Sequence, residues 1–120
     1  MRGLKISVIS VFVTLGVFAA CAEKHADSFS VQSSQRVEAS FFRANCVVCH
    51  GVEAEGKQLA ERLVPSLRTG DVLQKTDEQL YAQILNGGNG MPPFKFQMTE
   101  KQIENMVRFI RVLQKDASAK

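Results

Sequence analysis

Five consecutive residues, Cys46-Val47-Val48-Cys49-His50, restrict this chain more than anything else in it. Two thiols separated by two residues on one turn can each add to one vinyl group of a haem, and a histidine directly behind the second thiol can meet the iron from the same side. A thioether requires a cysteine sulfur, and a neutral imidazole gives a strong axial ligand whose other nitrogen a backbone carbonyl can orient. Other chemistries of the same residues are poorly served. A structural zinc site wants four ligands, commonly two pairs, and after processing the chain adds only the stray His25 to the motif. A thioredoxin-type dithiol wants a βαβ pattern, whereas the flanks here read as helix on one side and irregular loop on the other. A plain disulfide leaves His50 without a role.

The remaining 115 residues must fold around that motif, and a chain of 120 has room for one domain. Its N-terminus carries the cationic Arg2 and Lys5 and then an apolar run from 6 to 20, too short to span a bilayer and ending in small residues. Residues 1–22 therefore read as an export signal, which places the mature chain in the periplasm. Two cleavage sites compete. Ala20-Cys21-Ala22 fits a small-x-small site that releases a soluble chain from Glu23. Phe18-Ala19-Ala20-Cys21 resembles a lipobox, which would make Cys21 a lipid anchor and the protein a membrane-tethered lipoprotein; this is the favoured reading, although Phe18 stands where Leu is usual. Residues 23–35, rich in serine and without sustained periodicity, read as a flexible linker, and 36–117 as the folded domain. The formal charge of +3 shrinks to +1 once residues 1–22 are removed, so nucleic acid is not implied as a partner.

Beyond the pentapeptide, the chain resembles the class I c-type cytochromes, small exported single-haem electron carriers. The likeness covers about residues 36–115 and includes Phe42, Gly51, Pro65-Ser66-Leu67, Asn86-Gly87 and Met91-Pro92-Pro93-Phe94 ahead of a final amphipathic helix. Where the family usually has a glycine that lets the first and last helices cross closely, this chain has Glu38, with Ala39 beside it as a small substitute. The resemblance implies an all-α cytochrome c fold around one covalent haem c.

It also bears on the second axial ligand. Three methionines remain after processing. Met106 lies in the stripe Ile103, Met106, Phe109, Ile110, Leu113, spaced as a buried helix face, and Met98 precedes a helix cap. Met91 follows Gly87-Gly88-Asn89-Gly90 and precedes Pro92-Pro93, a segment that by its glycines alone is an ordinary turn stiffened by proline. The family's Met-Pro loop makes Met91 the implied iron ligand opposite His50. By the same resemblance Pro65 offers its carbonyl to the other nitrogen of His50, and Asn86 either donates toward the methionine sulfur or ends a helix, the cap being preferred.

Periodicity predicts three main helices and no strand: 35–44, then one starting at Thr76 with Gln79 completing a capping box, then one starting at Thr99 with Gln102 in the same role and running to about 115. A weaker helical turn is expected at 57–63. A core this small is marginal alone, so a haem buried among Phe42, Leu67, Leu80, Ile84, Phe94, Phe96 and Phe109 is expected to complete it. With both axial positions taken, the reading is a one-electron carrier and not an enzyme, a monomer serving redox protein partners. The alternatives are a haem subunit dedicated to a larger dehydrogenase or oxidase, and a ligand sensor or peroxidase in which Met91 is displaced. Lys95, Lys101, Arg108, Arg111 and Lys115 read first as solvated helix faces and only second as a docking face. Mass spectrometry of the mature holoprotein is expected to show one haem and an acylated chain starting at Cys21; an unacylated start at Glu23 would establish the soluble form.

Overall fold

The computed structural model describes residues 28–119, so the expected export signal, Cys21 and the first part of the expected linker lie outside the described residues. The chain is mostly helical: α1 (Val37–Asn45), the single turn α2 (Val47–His50), a hairpin of β1 (Lys57–Leu59) and β2 (Arg62–Val64), a 3-10 turn (Gly70–Gln74), α3 (Asp77–Asn86) and α4 (Glu100–Ser118).

Local chemistry accounts for the later helices. Thr76 accepts from the Gln79 amide while the Gln79 side chain accepts from the Thr76 amide, and Thr99 and Gln102 repeat the arrangement at α4. Each such box satisfies two of the donors that a helix start leaves unpaired. Asp77 and Glu78 add favourable charge at the positive end of α3. By contrast α1 starts at Arg36, which supplies no side-chain cap, so its boundary carries little sequence signal.

The expected stripe on α4 is buried, with Val107 and Gln114 added to it. Ala39 is fully buried where α1 packs on α4, so the alanine provides the close surface that a glycine would offer at the neighbouring position. Phe42 is wedged between helices: its ring lies 6.2 Å from Phe109 and 6.5 Å from His50, and Phe29 meets the other side of Phe109 edge-on at 5.7 Å.

Two expectations are corrected. Segment 57–63 is an antiparallel hairpin with Leu59 opposite Arg62, turning at Ala60 with φ 43°. Two adjacent three-residue strands leave too short a pattern for period-2 alternation to show. The described part of the expected linker, 28–35, is packed on the domain. Val31 is fully buried, and the segment is fastened by polar groups that have no periodicity to read. The Glu53 carboxylate accepts from the Ser30 hydroxyl at 2.7 Å and from the Val31 and Gln32 amides at 2.7 and 3.2 Å. Arg68, largely buried, bonds the Phe29 carbonyl at 2.9 Å and bridges Glu53 and Asp116 at 3.3 and 3.2 Å, while Asp116 takes the Phe29 amide at 2.7 Å. Arg43 on α1 holds the Val31 and Ser34 carbonyls.

Burial works to raise the Glu53 pKa, but the bonds from Ser30, Val31 and Gln32 and the Arg68 charge outweigh it and leave the carboxyl below its ordinary value. A depressed carboxylate contributes stability above its unfolded pKa, about 4.3, and loses it as pH falls through the folded value. Glu53→Gln is therefore expected to cost about 1 kcal/mol at pH 7, allowing for solvent screening, and to flatten the acid limb of stability below about pH 4.5 in urea titrations.

Candidate functional site

The motif sits at the junction of α1 and α2. Cys46 leaves the helical ladder at φ −110°, yet its amide still bonds the Phe42 carbonyl at 2.8 Å and its carbonyl accepts from His50 at 2.8 Å. This turn presents Cys46, Cys49 and His50 in close succession, and Gly51 ends it with φ 83°. Both thiols are free and half-buried. Burial, with Cys49 adding, pushes the Cys46 thiol up to about 12, so the folded chain keeps it protonated at neutral pH. Burial also lowers the His50 pKa, which favours the neutral imidazole that a metal requires.

His50 Nδ1 is buried and has no hydrogen-bond partner among the described residues. The contact expected from the Pro65 carbonyl is therefore not made. Pro65 lies exposed just beyond β2, in a segment whose next residues are tied elsewhere: the Leu67 amide to the Ala54 carbonyl at 2.9 Å, and the Leu67 carbonyl to buried Gln114 at 3.2 Å.

Met91 is presented by a tight turn. Gly88 and Met91 exchange backbone bonds at 2.9 and 3.0 Å around Asn89 and Gly90, both with positive φ, the geometry that an Asn-Gly pair favours. Gly87 ends α3 at φ 70°, and a Cβ there would collide with the Met91 carbonyl and crowd Pro92 and Pro93. The loop is then pinned to the end of α3: the Phe94 amide bonds the Ile84 carbonyl at 3.0 Å and Lys95 bonds Leu85 at 3.2 Å, which satisfies carbonyls a helix end leaves open. Cys46, Val47 and Met91 all pack, half-buried, against one cluster that contains Phe42, Leu80, Ile84, Phe94 and Phe109. Leu67 packs on it as expected, whereas Phe96 is 83% exposed with the Lys95 ammonium over its ring. Met106 and Met98 are core residues.

The polar neighbour of Met91 is Gln83, which sequence reasoning missed. Its Nε2 donates to the Gly88 carbonyl at 3.2 Å and lies 4.0 Å from Met91 Sδ. Asn86, one turn later, is exposed and is the last residue of α3, with Gly87 as the cap. The available signal was geometric: a turn at Asn89-Gly90 folds Met91 back along the last turn of α3, opposite Gln83. The basic residues of α4 are largely engaged within the chain, Lys101 and Arg108 with Glu104, and Arg111 with Asp77 at 2.8 Å and the Lys75 carbonyl at 2.6 Å.

The Cys46 thiol and the half-buried Met91 thioether pack on one apolar cluster, with Cys49 and His50 on the same turn as Cys46 and the His50 ring 6.5 Å from Phe42, a donor set suited to a flat iron macrocycle; among the described residues no three His, Cys, Asp or Glu converge as a simple metal site would need. Residues 35–110 match the family model of cytochrome c oxidase, cbb3-type, subunit III. The chain belongs to this cytochrome c family. It is also similar to cytochrome c6 of Nostoc sp., 37% identical over 76 residues, and to cytochrome c6 of Leptolyngbya boryana, 30% identical over 69. Those matches cover 60% and 58% of this chain and 64% and 80% of the two relatives. A small class I c-type cytochrome, with the mostly helical cytochrome c fold, is the common ground. No helix among the described residues is long and apolar enough to cross a membrane.

Gln83→Leu, which keeps bulk and helix propensity but removes the donor, is expected to loosen the Gly88–Met91 turn of this cytochrome and cost about 1 kcal/mol in denaturant titrations.

Proposed function

We propose that this cytochrome carries one electron at a time through a low-spin haem c bound covalently by Cys46 and Cys49 and ligated by His50 and Met91, passing it between periplasmic or membrane-bound redox partners. When bound, haem c supplies an iron that is oxidised and reduced by one electron. The observation that supports the reading is that His50 has a buried Nδ1 without a hydrogen-bond partner among the described residues, while a pinned turn presents the Met91 sulfur.

The residues divide the work. Cys46 and Cys49 would hold the haem on the turn that also bears His50, so the attachment and one iron ligand would share one rigid element. Burial keeps His50 neutral, and its free Nδ1 would donate to whatever acceptor loading brings near. Met91 would supply the second iron ligand, its sulfur presented by the pinned Gly88–Met91 turn, and with both ligands in place the metal would have no position left for a substrate. A thioether ligand in an apolar setting favours the lower-charged ferrous state and raises the potential above that of two histidines in water. Phe42, Leu80, Ile84 and Phe94 exclude water from the ligand region. The exchange with partners would take place in brief, small encounters. Export and a tether at Cys21 belong to the same proposal. A second reading, a subunit held by one larger oxidase, is favoured by the family whose model matches.

Purified ferric protein is expected to show a sulfur-to-iron charge-transfer band, no high-spin signal and no change with azide, and Met91→Ala is expected to lose the band and bind azide. Ready azide binding by the wild type would overturn the carrier reading. Haem staining should survive denaturing electrophoresis, and the Cys46→Ala, Cys49→Ala protein should lose both the stain and most of its helical circular dichroism, since the core is marginal without the ring.

A further inference from the structure

The hairpin at 57–64 lies outside every role assigned so far. Lys57, Gln58, Arg62 and Leu63 are exposed, and a two-stranded ribbon of this length has little stability of its own. It nevertheless touches both segments that carry the proposed iron ligands. On one side the Gly56 amide bonds the His50 carbonyl at 2.8 Å and Lys57 Nζ reaches the Val48 carbonyl at 3.3 Å. On the other, Arg62 Nη1 donates to the Asn89 carbonyl at 2.9 Å, joining residues 27 apart.

That second contact is built into the ligand turn. The Asn89 carbonyl takes no part in the Gly88–Met91 backbone pair, and the guanidinium supplies it with a charged donor. Gly90, at φ 81°, leaves the space the guanidinium occupies, since a Cβ there would collide with Arg62 Nη1. The absent side chain thus serves the backbone twist and the approach of Arg62 together.

We propose that the hairpin is a strut between the His50 turn and the Met91 turn, and that Arg62 is a positioning residue that keeps the Met91 turn closed and so slows departure of the sulfur from iron. The proposal rests on the reading of Met91 as ligand. Arg62 touches neither the sulfur nor the metal. Its effect is on the opening of the turn, which must move for an outside ligand to enter, so it shows in exchange rather than in the resting spectrum.

The test uses ferric holoprotein and imidazole, followed by the charge-transfer band and by stopped-flow absorbance. Arg62→Ala and Arg62→Met, the second retaining the length of the chain without its donors, are expected to keep the band and to accept imidazole about threefold to tenfold faster. Arg62→Lys, which keeps a charged donor, is expected to restore most of the wild-type rate. Gly90→Ala should speed exchange more in the wild type than in Arg62→Ala, because only the former has a contact left to lose. Wild-type protein with the band, and Arg62→Ala and Arg62→Met indistinguishable from it in imidazole rate, would overturn the strut alone. Wild-type protein without the band would overturn the Met91 reading and the strut with it.

Discussion

The packing of Phe42 is the contact on which the rest of the molecule depends. Its ring, almost wholly buried, lies between Phe109 of α4 and His50 of the adjoining turn, and Phe29 extends the row on the far side of Phe109. One side chain therefore ties the crossing of the first and last helices to the orientation of the imidazole. Aromatic rings of this size bury large apolar area and prefer the tilted and edge-on arrangements seen here, so the row has a defined geometry. Shifting α1 along α4 would carry the histidine with it. The small Ala39 allows the helices to approach, which is why the family glycine is dispensable at the neighbouring position.

A polar layer closes the other end of α4. Arg68 reaches the Glu53 and Phe29 carbonyls and two carboxylates at once, and Glu53 gathers the amides of the N-terminal segment. A largely buried guanidinium is tolerable only when its donors find acceptors, and here three separate segments converge to supply them. The consequence is that the segment before α1, the loop after His50 and the end of α4 are fastened as one unit. The turn at Met91 stands apart from that unit, joined to α3 by backbone bonds and to the hairpin by Arg62.

Much of the candidate site was legible in the chain itself. The spacing of Cys46, Cys49 and His50 is a local chemical pattern, and a single helical turn is enough to realise it. The glycines and prolines around Met91 announce a rigid turn because they act through their own φ angles, with no need of a partner. The capping boxes at Thr76 and Thr99 and the stripe on α4 are likewise set within a few residues of sequence. The hairpin escaped because its strands are too short for any period to emerge. The strap at 28–32 escaped because serines and isolated apolar residues look the same whether they are solvated or clamped by a distant carboxylate.

What the sequence by itself determined was every feature whose cause lies within one turn of chain: the Cys46–His50 motif, the starts of α3 and α4, the apolar face of α4 and the stiff loop that offers Met91. Only the tertiary structure decided that Gln83, not Asn86, faces the sulfur, that His50 Nδ1 finds no acceptor in Pro65, that Val31 is core, and that Arg62 spans to Asn89. These outcomes depend on where separate segments meet. Long flexible side chains such as Arg62, Arg68 and Gln83 can reach many partners, and the packing of Phe42, Ala39 and Phe109 selects among them.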